Sequence, residues 1–451
     1  MNTSIFKAYD IRGLSPGELD ADTAFRVGQA VVIFTKAKTV VVGKDMRQTT
    51  PGLFAALADG IMSQGADVID VGLVTTPMFY FAVAEYDLHD AGVMVTASHN
   101  PKEYNGLKLC YGDALPIGAS SGMDKIRDLA LEGPYKEKKR GTLVETDIRK
   151  DYLDKLSSLI DVKKFRRMSS AVDTANGMEG CVIADIFERM GNVTMSGLFL
   201  DLDGNFPNHE ANPLKEETLD ALKAKVKDIR ADVGFAFDGD GDRIGLVDEK
   251  GENVRGDLIL ALVAAKLLRD DPGLPVMYDV RCSMVVAEEI SRAGGVPMMC
   301  RVGHGFIKPQ MREVGALFAG ELSNHFYFRD VYGAESTDLV MLSILELMSE
   351  SGKSLSELVA PLKRYHHSGE INSTVADKDG VLARLEKVYG HEAASVSKID
   401  GLRMDFEDNS GRWWFNVRAS NTEPLLRLNL ETTEREMMAR RRDELLAIIR
   451  S

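Results

Sequence analysis

Along this chain, short apolar runs repeatedly end in polar loops, and stretches with apolar residues at helical spacing separate them. FKAYDIRG (6–13) alternates apolar residues with Lys7, Asp10 and Arg12 before Gly13 turns the chain. A helix is predicted over roughly 21–35, followed by the strand KTVVVGKD (38–45). GLFAALADGIMSQGA reads as a helix reaching about residue 66, VIDVG (68–72) as a strand, TTP as a turn and MFYFAVAEY as a helix. AGVMVTASHN (91–100) is a strand that runs into a polar loop. Strand and helix alternating in this way form the pattern of a parallel α/β sheet.

The plan recurs. SSAVDTANGMEGCVIADIFERMGNVTMSGL (169–198) holds a strand ending in Asp173, a helix and another strand. LPVMYDVRCSMVVAEEISRAGGVPMMCRVG (274–303) repeats it, with Asp279 at the strand end. In each unit a later apolar strand enters a polar loop: GVMV into TASHN, GFAF into DGDGD, ALFA into GELSNH. The spacing varies from unit to unit, so this is a degenerate repeat and not a solenoid. Three related mixed α/β domains are expected over 1–148, 149–253 and 254–364. Each places one loop at the carboxyl end of a strand, where open sheets bind ligands. Beyond residue 364 the texture changes. Asp400-Gly401 signals a tight turn, WWFNVRAS and PLLRLNLE flank a short loop, and a last helix covers roughly 433–450. A smaller α+β domain over 365–451 is expected.

Composition narrows the classes. The length of 451 residues requires more than one core, and 44% hydrophobic with 27% charged residues is ordinary for a soluble protein. A net charge of −14 argues against nucleic acid as a partner. Cys110, Cys181, Cys282 and Cys300 are scattered without a C-x-x-C pair, so buried free thiols in a reducing compartment are expected. MNTSIFKAYDIRG lacks an apolar h-region, and no run approaches the ~18 apolar residues of a membrane span. DLILALVAAKLL (257–268) carries Lys266 and reads as a core helix. A cytoplasmic protein without membrane partners is the expectation.

The strongest chemical signal is GFAFDGDGDRIGLVDEKG (234–251). Asp238, Asp240 and Asp242 alternate with glycines at a strand end, and Arg243 follows. Adjacent carboxylates cannot all ionise without a cation, and hard oxygens select Mg²⁺ or Ca²⁺. The aspartates and Glu249 match the EF-hand positions, but Arg243 replaces the turn glycine and the flanks read as strands. A solvated acidic turn without a ligand is the plain alternative. A Mg²⁺ site, with open positions for phosphate oxygens, is the reading that the rest of the chain tests.

Four further stretches carry candidate chemistry. TASHNPKEYNGLK (96–108) offers Ser98 as a nucleophile that needs activation, with Lys108 ten residues on and His99 expected to shape the loop. GELSNH (320–325), if extended, would face Glu321, Ser323 and His325 to one side, suited to sugar hydroxyls or to an exposed edge strand. GHGFIK (303–308) places His304 between two glycines. RASNTEP (418–424) combines Arg418 with Ser420, Asn421 and Thr422, either as a phosphate cradle or as a plain hairpin loop.

Together, in this order and covering the whole chain, these motifs resemble the α-D-phosphohexomutase superfamily, in its phosphomannomutase/phosphoglucomutase branch. The resemblance implies four domains around a central cleft. It implies that Ser98 is phosphorylated and that Mg²⁺ is held by Asp238, Asp240, Asp242 and a phosphoserine oxygen. Glu321, Ser323 and His325 would read the sugar, and Arg418 to Thr422 would grip the phosphate that is not reacting. Arg12, Lys108 and His304 would serve proton transfer, with Tyr9, Arg243 and Arg281 also binding substrate. The reaction implied is exchange of hexose 1-phosphate and 6-phosphate, mannose foremost, through a hexose 1,6-bisphosphate. The partners would be small hexose phosphates, and the enzyme a monomer or homodimer.

Two residues bear on the branch. Arg281 stands where the two-sugar enzymes often carry Lys, and the two cations are not equivalent. Asn421 favours the mannose/glucose branch over the glucosamine branch, which usually has glycine there. The alternatives are a phosphoglucosamine mutase, a Mg-dependent phosphatase using Asp238 as nucleophile, and a non-catalytic sugar-phosphate binder. Asp242 departs from the phosphatase motif, and intact Ser98 and Lys108 argue against a binder.

Overall fold

The structure, a computed structural model, describes residues 1–86, 88–408, 411–419 and 425–451. Three α/β domains and a smaller α+β domain each carry one sheet. The first sheet runs Ile11–Leu14, Tyr104–Tyr111, Ala91–Val95, Thr39–Lys44, Asp67–Leu73, Leu143–Glu145 in spatial order. The second runs Asn253–Val254, Ile244–Asp248, Val233–Phe237, Met168–Asp173, Val193–Leu198. The third runs Val296–Cys300, Pro275–Asp279, Phe318–Gly320, Phe326–Phe328, Ala334–Glu335.

These sheets share one topology. Three strands lie parallel through helical crossovers, then an antiparallel hairpin turns the chain back. The parallel pattern expected from the strand–helix alternation holds for these three strands, and the return strand makes each sheet mixed. Periodicity finds strands but not their direction, and the return strand follows a short turn in place of a helix. The strands Ala91–Val95 and Val233–Phe237 are buried at every position, which is why they read as unbroken apolar runs.

The strand ends repeat too. Asp45, Asp173 and Asp279 each close the first strand of a unit and accept the backbone N–H two residues on, from Arg47 (3.1 Å), Ala175 (2.8 Å) and Arg281 (2.7 Å). These are Asx turns, which bend the chain into the following crossover. TTP (75–77), read as a turn, is instead the start of helix Thr76–Glu85. Thr75 caps it by accepting Met78 N–H at 3.2 Å, and Pro77 fits the first turn, where no intrahelical donor is needed. Helix Gly256–Asp270 is buried as expected, and its Lys266 pairs with Glu346 at 2.6 Å.

The fourth domain lays helices Lys378–Tyr389 and Arg435–Ile449 against an antiparallel sheet built on Leu402–Asp408, Gly411–Ala419 and Leu425–Thr432. Its core is aromatic, with Phe406 stacked on Trp413 at 3.9 Å between ring centroids. The four cysteines are unpaired, and among the described residues no helix is long and apolar enough to cross a membrane.

Candidate active site

The three return hairpins hold the three loops singled out in the sequence. Residues 96–103 join Ala91–Val95 to Tyr104–Tyr111, 238–243 join Val233–Phe237 to Ile244–Asp248, and 321–325 join Phe318–Gly320 to Phe326–Phe328. Equal topological position brings the loops together.

Ser98 is buried with φ +52°, its N–H donating to Thr96 Oγ1 at 2.9 Å. Its hydroxyl donates to Asp238 Oδ2 at 2.8 Å. The left-handed backbone also brings Oγ within 3.1 Å of His99 Nδ1, a contact that neighbours in an extended chain do not make. His99 lies well below the ordinary histidine pKa because it is buried and faces Arg243 and Arg12. The aspartate loop packs backbone to backbone on the serine loop: a Cβ on Gly239 would stand 2.4 Å from Ser98 O. Gly241 adopts φ +75°. One glycine thus allows close approach and the other a left-handed turn.

The aspartates form a buried anionic cluster. Asp238 Oδ1 accepts the N–H groups of Asp242 (3.0 Å) and Arg243 (3.1 Å). Lys108, on the return strand of the first hairpin, donates to Asp240 Oδ2 (2.7 Å) and Asp242 Oδ2 (2.5 Å). Burial would lower its pKa, but the two carboxylates outweigh burial and raise it. Burial and its two neighbours push Asp238 well above the usual carboxylate range. Asp242, although buried, is held well below it by Lys108 and His325. Lys108 and His325 against three carboxylates leave the cluster short of positive charge. One oxygen from each aspartate lies within 4.8 Å of the others; Asp240 Oδ1 is buried without a hydrogen-bond partner, and Asp242 Oδ1 has only His325 Nε2 at 3.4 Å. This donor set fits a hard cation. Glu249, the twelfth position of the calcium-loop alternative, points elsewhere, to Ser354 and Ser356.

GELSNH is not extended. It is the tight turn of a hairpin, with Glu321 N–H donating to His325 O at 2.9 Å and Asn324 at φ +65°. The turn still gathers the three side chains: Ser323 Oγ is 3.3 Å from His325 Nδ1, and His325 Nδ1 is 3.3 Å from Glu321 Oε2. Glu321 also accepts from Gly303 N–H (2.7 Å) and Tyr327 OH (2.8 Å). Burial would raise it, yet His325 and Arg281 hold it down near 2. Burial and Arg243 push His325 down, but Asp242 and Glu321 outweigh them and lift it to about 9. Its Nε2 is 3.4 Å from Asp242 Oδ1 and 3.2 Å from Arg243 Nε, which links the third loop to the second.

His304 opens helix His304–Val314, its Nδ1 buried and unpartnered, its pKa well below the ordinary value through burial beside Lys308 and Lys108. Tyr9 packs against it with the rings tilted by 48° and 5.3 Å between centroids, and its hydroxyl donates to Val302 O at 3.4 Å. Arg12 donates to Asn100 Oδ1 at 2.8 Å and pairs with Asp10. Arg281 forks onto Asp279 (3.0 and 2.8 Å) and approaches Ser323 Oγ at 3.4 Å. Arg418 donates to Glu370 at 3.0 Å. Ser420, Asn421 and Thr422 lie outside the described residues.

Three residues that position this site were not singled out in the sequence. Arg47, fully buried, donates to the carbonyls of Ser98 (2.7 Å), Asn100 (2.6 Å), Pro101 (2.8 Å) and Tyr104 (2.9 Å). Thr76, at the N-terminus of its helix, donates to Asp240 from N–H (2.8 Å, to the carbonyl) and Oγ1 (2.7 Å, to Oδ2). Thr337, at the N-terminus of helix Thr337–Ser351, donates to Gly241 O at 2.7 Å. The available signal was the repeat itself: Arg47 and Arg281 both stand two residues after the strand-end aspartate.

Comparison with known proteins agrees with this assembly. Four family profiles match in series: phosphoglucomutase/phosphomannomutase alpha/beta/alpha domain I over residues 3–136, domain II over 150–251, domain III over 255–365, and the C-terminal domain over 370–448. A phosphomannomutase of Salmonella montevideo is 39% identical, with 100% of each chain covered. One from Escherichia coli K12 is 40% identical over 95% of this chain and 94% of its own. The crystal structure of a phosphoglucomutase/phosphomannomutase family protein from Burkholderia thailandensis superposes with a TM-score of 0.91 at 34% identity, covering 99% of this chain and 97% of that one. The chain belongs to the phosphoglucomutase/phosphomannomutase family of phosphohexomutases, which are isomerases.

Proposed function

We propose that this protein interconverts hexose 1-phosphate and hexose 6-phosphate, mannose foremost and glucose as well, by phosphoryl transfer through Ser98. The observation that carries the reading is the Ser98 hydroxyl, 2.8 Å from Asp238, at the meeting of the serine, aspartate and sugar-reading loops. In the working enzyme Ser98 carries a phosphoryl group. Asp238, Asp240, Asp242 and an oxygen on Ser98 would hold Mg²⁺, which supplies charge neutralisation at the phosphorus when bound.

The residues divide the remaining work. Arg418, with Ser420, Asn421 and Thr422, grips the phosphate that does not react, and Arg281 and Tyr9 flank it. Glu321, Ser323 and His325 hold the hydroxyls shared by both sugars, so either end of the hexose can face Ser98. The free sugar hydroxyl then attacks phosphorus. A new O–P bond forms, the P–Oγ bond of Ser98 breaks, and the hydroxyl proton leaves to a base. His304, kept neutral by burial, is suited to accept it. Lys108, kept protonated by its two aspartates, is suited to donate and to steady the departing oxygen, as are Arg12 and Arg243 by charge. The 1,6-bisphosphate turns over in the cleft and returns its other phosphate to Ser98. Phosphatase chemistry at Asp238 is disfavoured, because Asp242 departs from the phosphatase motif and Ser98, 2.8 Å from Asp238, would have no role in it. We further read the protein as cytoplasmic, monomeric or homodimeric, with domain boundaries near residues 148, 253 and 364.

The test compares native protein with Ser98→Ala on mannose, glucose and glucosamine 1-phosphates, with Mg²⁺ and catalytic hexose 1,6-bisphosphate. Native protein is expected to form 6-phosphates, fastest from mannose, and Ser98→Ala to lose at least ~10³-fold, the scale of losing a reacting nucleophile. Native-like activity in Ser98→Ala would discard the phosphoserine route. Release of free phosphate would favour the phosphatase.

A further inference from the structure

Glu370 belongs to the fourth domain, in the stretch joining the short strands His366–His367 and Ile371–Thr374, both of which pair with Leu425–Thr432. Its Oε2 accepts from Arg418 Nη2 at 3.0 Å, and its Oε1 accepts from Arg427 Nη1 at 3.2 Å. Arg281 Nη1, from the third domain, stands 3.8 Å from Oε2. Arg418 and Arg427 are direct cross-strand partners, a placement in which like charges repel. The Glu370 carboxylate, shared by Arg418 and Arg427 with Arg281 beside it, offsets that repulsion. The three guanidinium groups are donor forks of the kind that bind phosphate oxygens, and the Glu370 side chain is only 26% exposed.

We propose that Glu370 is a resident anion that occupies the cationic cradle of Arg281, Arg418 and Arg427 until a substrate phosphate replaces it. The inference rests on the reading of Arg418 as a phosphate-gripping residue. It makes Glu370 a positioning residue with two opposed effects. Without substrate it keeps the arginines aligned and ties the fourth domain to the third. With substrate its negative charge competes with the phosphate, so it weakens binding and assists release. A site that must bind a bisphosphate tightly enough to turn it over, yet free a monophosphate, benefits from such a competitor.

The experiment measures inorganic phosphate binding by calorimetry on the full chain, which requires no turnover. Glu370→Gln keeps size and one of the two acceptor oxygens but removes the charge. It is expected to bind phosphate about tenfold more tightly than native protein, since loss of one like charge at close range is worth about that factor. Glu370→Asp, which keeps the charge, is expected to stay near native affinity, and Glu370→Gln/Arg418→Ala is expected to lose the gain. Circular dichroism and the unfolding temperature verify that each variant is folded. Steady-state kinetics add a second readout: Glu370→Gln lowers KM for hexose phosphate, with kcat unchanged or reduced where release limits turnover. Unchanged or weaker phosphate binding in folded Glu370→Gln overturns the proposal. Tighter binding in a protein that isomerises no sugar phosphate upholds it while removing the mutase reading.

Discussion

Arg47→Met removes a buried guanidinium while keeping most of its volume. In the native structure that group serves four backbone carbonyls of the serine loop, at 2.6 to 2.9 Å, and pairs with Asp45 at 3.2 Å. Hydrogen bonds to a charged group are worth at least ~1.5 kcal/mol each, which would make the four worth ~6 kcal/mol if they were independent. They are not independent, because one rigid fork makes them all. A better guide is the ~3–5 kcal/mol lost when one member of a buried ion pair is removed. Asp45 is left buried and charged, and burial already pushes its pKa upward. A destabilisation of ~3–5 kcal/mol is therefore expected, seen calorimetrically as a clear fall in the unfolding temperature. The second consequence is kinetic. The serine loop keeps its sequence but loses its anchor, so kcat should fall by ~10²-fold, as expected of a reacting atom misplaced by about an ångström. KM should change little, since Arg47 touches neither Glu321 nor Arg418. Arg47→Lys should recover only part of both losses, because an ammonium cannot reach four acceptors in fork geometry. An Arg47→Met protein with a native unfolding temperature and kcat within twofold of native would refute the argument.

Gly239→Ala should cost at least ~100-fold in activity, because its Cβ would sit 2.4 Å from Ser98 O. Gly52→Ala, in a helix with nothing within 4 Å of the new Cβ, should instead stabilise by ~0.5–1 kcal/mol; turnover measured on Gly239→Ala and thermal unfolding measured on Gly52→Ala test the two expectations. Treatment with a chelator should abolish activity and added Mg²⁺ restore it; Asp240→Asn should raise the Mg²⁺ concentration needed at least ~10-fold, and restoration by no divalent ion would exclude a metal role. His209, 3.0 Å from Asp173, has a raised pKa: burial lowers it, but the Asp173 carboxylate outweighs burial. The stability from this pair is fully present below the ordinary histidine pKa of ~6.5 and is lost as pH rises through the raised value. Urea midpoints measured upward from pH 6 should therefore decline in native protein more than in His209→Gln; parallel profiles would count against the pair.

Much of the fold was legible because its central strands are buried on both faces. AGVMV and GFAF can only be core strands, and the turn residues after them carry the chemistry. The aspartate cluster was legible for the same reason, since three alternating carboxylates after an apolar run have few physical solutions. Strand direction was not legible, because the return strands are as apolar as the parallel ones. GELSNH reads from sequence both as a polar loop and as an extended segment, because alternation fits either; Asn324 at φ +65° decides for the turn. Arg47, Thr76 and Thr337 were missed for another reason. Each acts through backbone carbonyls or another repeat's loop, and a linear motif records neither the acceptor nor its distance. Residues 420–422 remain a reading from sequence.

The three return hairpins have a consequence beyond this reaction. A strand order repeated in three domains supplies three loops with the same address relative to their cores. Each unit can then specialise without disturbing its neighbours' foundations: on the proposed function one would supply a nucleophile, one a set of acidic ligands, one a reader of hydroxyls. The chemistry is thus distributed over interchangeable stations, and the choice of sugar can drift at one station while the transfer machinery at the other two stays fixed.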